Sequence, residues 1–276
     1  MDDATTVELH THSTASDGAF SPTELARRCA RAGVDMWALT DHDNCYGCAE
    51  AAAAAEEHGI AFVPGIEMSS FAGRSVHVLG YGVDPDGAVI QEYAERRIEA
   101  RRERTRTMIE RLAQLGVEVE FERVVEVAGS NVLGRPHLAR ALVETGAVSS
   151  IDEAFDRFLH DGGPAHVHTR WPSVEEAIEL IERAGGVSVL AHPGQYDLDE
   201  AIESWIEAGL DGIEVVHPSH LGADRRRYEA LADRYDLLKT ASSDFHGNRG
   251  YGIALGEVDF PPSWLEAFQA AVAERN

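Results

Sequence analysis

The chain has 276 residues and 44% hydrophobic content, enough to bury the core of one barrel-sized domain or of two ordinary ones. Forty-eight acidic residues face 24 basic ones, a formal net charge of −24, and Lys239 is the sole lysine. Such a negative field excludes general binding of nucleic acid, double-stranded DNA included, so a phosphate-bearing substrate must be met by local Arg, His or metal. The acidity is expected to keep the surface hydrated in a salt-rich cytoplasm. No window approaches the roughly 18 apolar residues of a membrane span, and the opening MDDATTVELH lacks the basic and apolar parts of a leader, so a soluble cytoplasmic protein is expected. Oligomeric state is not legible.

Short apolar runs at 7–9, 36–39, 61–63, 75–81, 187–190, 212–216 and 237–240 read as seven strands. Between several of them lie amphipathic helices with readable ends. Ser21-Pro22-Thr23-Glu24 is a capping box with proline at the first helical position, and Gly33 closes that helix. A second helix runs from about Gly47 to His58, with Gly59 as its stop. This alternation predicts an α/β fold with mainly parallel strands. From 86 to 170 the rhythm breaks into helices alone, so residues 1–85 and 171–276 are expected to form one domain interrupted by a helical insertion, 86–170. The insertion opens with a long helix carrying seven arginines and five glutamates between Glu92 and Arg111, a spacing that predicts a solvated, salt-bridged face.

Three cysteines, Cys29, Cys45 and Cys48, are too few and too irregular for a disulfide framework. Cys45 and Cys48 form a Cys-x-x-Cys pair with no second pair to complete a zinc site. Packing near a helix start is favoured over a redox or zinc role.

The residues that carry chemistry fall at or just beyond the C-terminal ends of the strands. His10 and His12 alternate along the first and therefore point to one side; Asp17 follows. The second strand leads into Thr40-Asp41-His42-Asp43, the third to Glu67, and the fourth contains His77. Later come His192, His217, Asp244 and His246. In a closed α/β barrel these ends share one face. Each residue alone has an ordinary reading, as a core histidine, turn aspartate or helix cap. Together, six of these imidazoles and three of these carboxylates buried without cations would be costly, and metal ligation satisfies them at once. Nine donors exceed the set for one catalytic ion and point to two or three ions. Imidazole with carboxylate and no thiolate suits Mn, Zn or Fe.

The segments HTHSTASDG, TDHD, PGIEMS, VHVLGYGV, AHPG and SDFHG together resemble the motifs of the PHP (polymerase and histidinol phosphatase) superfamily, over nearly the whole chain. The insertion with GRPH and the following HVHTRWPSVEEAI resemble the branch of 3',5'-nucleotide bisphosphate phosphatases and 5'-to-3' exoribonucleases. The resemblance implies a distorted seven-stranded (β/α)7 barrel with a trinuclear metal site. His10, His12, Glu67 and Asp244 would hold one ion. Glu67 would bridge to a second held with His77 and His192, and Asp17, His42 and His246 would hold a third. Asp41 and Asp43 would orient ligands. Asn44-Cys45-Tyr46-Gly47 departs from the threonine and small residues expected after TDHD.

The reaction expected is attack of a metal-activated hydroxide on a phosphoester, with Asp17, Glu67 and His217 as catalytic residues. Arg135, His137 and His217 are expected to contact substrate phosphate, the first two at a helix start where a guanidinium fork and backbone N–H groups converge. The implied substrates are nucleoside 3',5'-bisphosphates or the 5' ends of short RNAs. Two alternatives stand beside this: a histidinol-phosphate phosphatase, and a metal-binding regulatory module without catalysis.

Overall fold

In a computed structural model of the chain, described for residues 5–129, 132–167, 171–247 and 253–275, seven strands form one sheet in sequence order. They are β1 (Val7–Glu8), β2 (Met36–Leu39), β3 (Ala61–Phe71), β4 (Ser75–Tyr81), β5 (Val187–Leu190), β6 (Gly212–Val216) and β7 (Leu238–Ala241). Four neighbouring pairs are parallel, and β4 runs antiparallel to both β3 and β5. A parallel bridge between Thr11 and Phe245 closes the ring, flanked by His12 N–H donating to Phe245 O at 2.9 Å and Phe245 N–H to His10 O at 3.2 Å. The fold is a nearly closed, distorted seven-stranded β/α barrel.

The antiparallel strand follows from the length of β3, which runs eight residues past the expected Val63. Pro64 and Gly65 read as strand breakers in the sequence. Here Pro64 keeps its carbonyl in the ladder, accepting Gly82 N–H at 2.8 Å. Gly65 is required by close approach: a Cβ there would lie 2.8 Å from Thr40 Cγ2 and 3.0 Å from Leu39 O. Past them β3 continues to Phe71 and then turns back into β4, so Glu67 lies within a strand.

Strand alternation sorts side chains between two faces. Leu79, Tyr81, Val187 and Val189 enter the barrel interior with Phe268 and Leu265, while Val76, Val78, Leu190, Ile213 and Val215 pack outward. Helices cover the outside: α1 (Pro22–Arg31), α2 (Cys48–His58), the start of α3 (Ala88–Gln114) and, further on, the first three after the insertion. The Ser21 cap is present, its hydroxyl accepting Glu24 N–H at 3.2 Å, a contact of about 1 kcal/mol.

Two compact units divide the chain, residues 1–93 with 171–276 and residues 94–170. The first boundary therefore falls inside α3. The smaller unit holds the rest of α3, α4 (Phe121–Ala128), α5 (Arg135–Glu144) and α6 (Ile151–Ala154), the last running into a π turn, and no strand among the described residues. Its core gathers Met108, Leu112, Val124, Leu138, Leu142 and Phe158. On the arginine-rich helix Arg106 pairs with Glu99 and Glu103 at the surface, but Arg97 and Arg101, one turn apart, are buried, unlike a solvated face. The larger unit resumes with α7 (Val174–Arg183), α8 (Asp199–Glu207), α9 (Gly222–Tyr235) and α10 (Pro262–Arg275). No described helix is long and apolar enough to cross a membrane.

Candidate metal centre

The C-terminal ends of β1, β2, β5 and β7, with the bodies of β3 and β4, deliver nine side chains to one place. Glu67 lies at the middle, almost fully buried. Its Oε1 is 2.7 Å from His77 Nδ1 and 3.1 Å from His192 Nε2. Its Oε2 is 2.9 Å from His42 Nδ1, 3.2 Å from His12 Nε2 and 3.3 Å from His10 Nε2. Asp244 Oδ1 faces His10 Nε2 and His12 Nε2, each at 3.2 Å, and His246 Nδ1 at 3.5 Å. Asp17 Oδ1 faces His246 Nε2 at 3.4 Å and His42 Nε2 at 3.8 Å. The fully buried His217 stands beside them, its Nε2 3.3 Å from Asp244 Oδ2 and its Nδ1 2.7 Å from Ser219 Oγ.

Short loops hold these groups in place. Asp41 accepts from Ser13 N–H and Ser13 Oγ at 2.7 Å and from Ser16 Oγ at 2.5 Å, fixing the turn that carries Asp17. Asp43 accepts from Ser69 N–H at 2.7 Å and Tyr93 Oη at 2.6 Å. Asn44 Nδ2 donates to His42 O at 2.9 Å and Ala15 O at 3.2 Å, so the segment that departs from the family pattern still ties two site loops together. Asp43, His192 and Asp244 all have positive φ, a strained conformation for such residues that clusters at functional sites.

Burial opposes charge throughout this cluster, and mutual attraction overrides it for most members. Burial raises the Asp17, Glu67 and Asp244 carboxyls, yet facing imidazoles hold all three well below the usual carboxylate range. Burial lowers His10 and His12, yet Asp244 and Glu67 lift His10 well above its ordinary value and His12 to about 10. His192 differs: burial pushes it down to about 4. With protons as the only counter-charge, the carboxylates depend on imidazolium partners.

Divalent cations fit this site. His10 Nε2, both His12 nitrogens, Asp17 Oδ1, His42 Nδ1, Glu67 Oε2 and Asp244 Oδ1 are buried atoms with no hydrogen-bond partner, and an orphaned buried polar atom costs about 1–3 kcal/mol. Four sets bring ligand atoms within 4.8 Å of one another: His12, Asp17, His42 and His246; His10, His192 and Asp244; His10, His12 and Glu67; and His42, Glu67 and His77. They overlap at His10, His12, His42 and Glu67.

Sequence reasoning missed two buried groups. Glu214 sits on β6 and Tyr196 four residues beyond His192. Tyr196 Oη accepts His77 N–H at 2.9 Å and lies 2.7 Å from His192 Nδ1. A carboxylate in the middle of the apolar run GIEVV was the available signal for Glu214; Tyr196 had none. Arg135 and His137 belong to the smaller unit. Arg135 Nη1 donates to Leu159 O at 3.0 Å and to Asp161 Oδ1 at 2.5 Å, and His137 Nδ1 accepts Gly134 N–H at 3.1 Å. The Cys45 and Cys48 thiols are buried and both donate to Gly65 O, at 3.2 and 3.7 Å. Contact with the neighbouring Cys48 thiol and burial push the Cys45 thiol far up, which suits packing rather than reactivity.

A β/α barrel that gathers imidazoles and carboxylates at its strand ends has the build of a metal-dependent phosphoesterase. The chain belongs to the PHP domain family, which matches residues 8–254. It is 39% identical over 264 residues to a 3',5'-nucleoside bisphosphate phosphatase of Chromobacterium violaceum, covering 93% of each chain. It is 35% identical to a phosphoribosyl 1,2-cyclic phosphate 1,2-diphosphodiesterase of Eggerthella lenta, over 88% of this chain and 95% of that one. To a 5'-3' exoribonuclease of Haemophilus influenzae it is 34% identical, over 94% and 92%. The solved structure of an amidohydrolase from Chromobacterium violaceum, with bound sulfate and no metal, superposes with a TM-score of 0.86 at 36% identity over 96% of each chain.

Proposed function

We propose that the chain removes the 3'-phosphate of nucleoside 3',5'-bisphosphates, and by cleaving the same kind of P–O3' bond trims short RNAs stepwise from the 5' end. The convergence of nine donors, Glu67 and Asp244 at their centre, carries the reading of a phosphoester hydrolase. The nucleotide substrate is supported by similarity to the bisphosphate phosphatase and the exoribonuclease.

His10, His12, Glu67 and Asp244 would hold one divalent ion, Glu67 with His77 and His192 a second, and Asp17, His42 and His246 a third, with Mn, Zn or Fe suited to the donors. Ions bound there would supply positive charge to phosphoryl oxygens and acidify a water at neutral pH. Glu67, whose two oxygens face different imidazoles, would be the ligand shared by two of these ions. Asp17, on its serine-braced turn, completes the cluster on the Gly18 side. His217 donates or accepts a proton at Nε2 beside Asp244, as contact to phosphate or as acid to the leaving oxygen. Arg135 and His137 are proposed as further phosphate contacts, which for Arg135 requires exchanging its pairing with Asp161. The protein is proposed to act in the cytoplasm.

The similarity to a cyclic phosphodiesterase favours a second reading, hydrolysis of a 1,2-cyclic sugar phosphate. Product release from adenosine 3',5'-bisphosphate, a 5'-phosphorylated RNA tetramer, phosphoribosyl 1,2-cyclic phosphate and histidinol phosphate, each with Mn-loaded protein, separates these. Turnover of the first two at rates well above the others is expected. Intact bisphosphate and RNA would overturn the nucleotide assignment, and inertness toward all four would favour the non-catalytic metal-binding module.

A further inference from the structure

We infer that Glu214 is a positioning residue that sets the metal affinity of the cluster by holding His10 and His192 together. The inference rests on the cluster's being a metal centre and not on which phosphoester is cleaved.

Glu214 is completely buried on β6. Its neighbours Ile213 and Val215 enter the outer apolar layer, so alternation turns the carboxylate inward. It takes part in none of the four ligand sets. Instead its Oε1 lies 3.2 Å from His10 Nδ1 and accepts Ser242 Oγ at 2.5 Å, while its Oε2 accepts His192 N–H at 2.8 Å. A carboxylate can only accept here, so His10 Nδ1 carries a proton, which leaves Nε2, the nitrogen facing Glu67 and Asp244, as the one that would give up its proton and offer its lone pair to an ion. A second partner of this kind fixes tautomer and ring orientation and raises ligand basicity.

The other oxygen acts on backbone. His192 has φ 29° and ψ 54°, a strained conformation for a non-glycine residue that persists only where its surroundings over-determine it. Glu214 supplies one restraint, on the His192 N–H. Tyr196 Oη restrains the ring at Nδ1, and His220 Nε2 accepts Gly194 N–H at 3.0 Å just downstream. Because one carboxylate reaches ligands delivered by β1 and β5, their imidazoles, 5.7 Å apart between centroids, are set by a common anchor.

The test is direct titration of Mn into metal-free protein, read by bound metal and by the Mn concentration that half-saturates hydrolysis. Glu214→Gln keeps the shape but sets an amide N–H against one of the donors. A 10–100-fold weaker Mn affinity is expected, with hydrolysis recovered at saturating Mn. Ser242→Ala, which leaves the carboxylate and strand in place, should weaken Mn binding several-fold and serves if the first variant does not fold. Mn affinity within twofold of wild type in a folded Glu214→Gln or Ser242→Ala protein would overturn the inference. So would weaker hydrolysis at saturating Mn with unchanged affinity, because that pattern belongs to a group acting on substrate.

Discussion

Gly18→Ala should disable the site without unfolding the barrel. A Cβ on Gly18 would lie 2.1 Å from His12 O, 2.4 Å from His12 C and 2.7 Å from Ser13 N. All three are backbone atoms and cannot rotate away. Ordinary approach is about 3.5 Å, so about 1.4 Å of displacement must be found in the His12 backbone or in the 13–19 turn. Either choice moves a ligand, since Gly18 N–H is tied to Ser13 O at 2.9 Å and Ala19 N–H to His246 O at 2.9 Å. Metal–ligand distances tolerate about 0.2 Å, so Asp17 loses its place. Hydrolysis should fall on the order of 10²-fold and bound metal per chain should drop, while the stability cost of relieving overlap in a surface turn stays near 1–3 kcal/mol. Metal analysis, phosphate release and thermal unfolding on one preparation test this. Wild-type metal content and activity in a folded Gly18→Ala protein would refute the reasoning.

Three further outcomes are expected. Adding Mn to metal-free protein at pH 7 should release protons, because His12, lifted to about 10 by Asp244 and Glu67 against burial, is charged there; affinity should therefore rise with pH, and calorimetry in buffers of different ionisation enthalpy would show no such release if the imidazoles were already neutral. Burial raises Glu8 from 4.5 to about 7 against its Ser243 hydrogen bonds, so its contribution to stability is complete below the unfolded value and is lost as pH climbs through 7, on the order of 3 kcal/mol in total; Glu8→Gln should gain on wild type in denaturant midpoint between pH 5 and 8, and a constant gap would contradict this. The net charge of −24 implies that screening stabilises the fold, so the melting temperature should rise from low to molar salt, and a flat profile would count against salt adaptation.

Much of the barrel was legible because its strands are short apolar runs between capped helices. Six of the seven strands lie within a residue or so of where periodicity puts them. β3 escaped because Pro64 and Gly65 look like an end, whereas one uses only its carbonyl and the other makes room for Thr40. That misreading also hid the antiparallel strand, since a βαβ rhythm carries no mark of one reversed member. The clustered histidines and carboxylates stood out through type and recurrence at strand ends. Glu214 and Tyr196 did not, because what they touch depends on which strands lie side by side. In the insertion, charge spacing described Arg106 but not Arg97 and Arg101, whose burial is set by packing that alternating charge does not reveal.

The central claim, that the cluster begun by His10 and His12 holds the metal ions that cleave a phosphoester, is tested most directly by one titration. Mn is added to metal-free wild type, Asp17→Ala and His192→Ala proteins, with bound ions counted and phosphate release from adenosine 3',5'-bisphosphate followed on the same samples. Wild-type activity should rise with occupancy to about two or three ions per chain, and both variants should bind fewer ions and lose nearly all release. Undiminished release from wild type stripped of metal in excess chelator would contradict the claim.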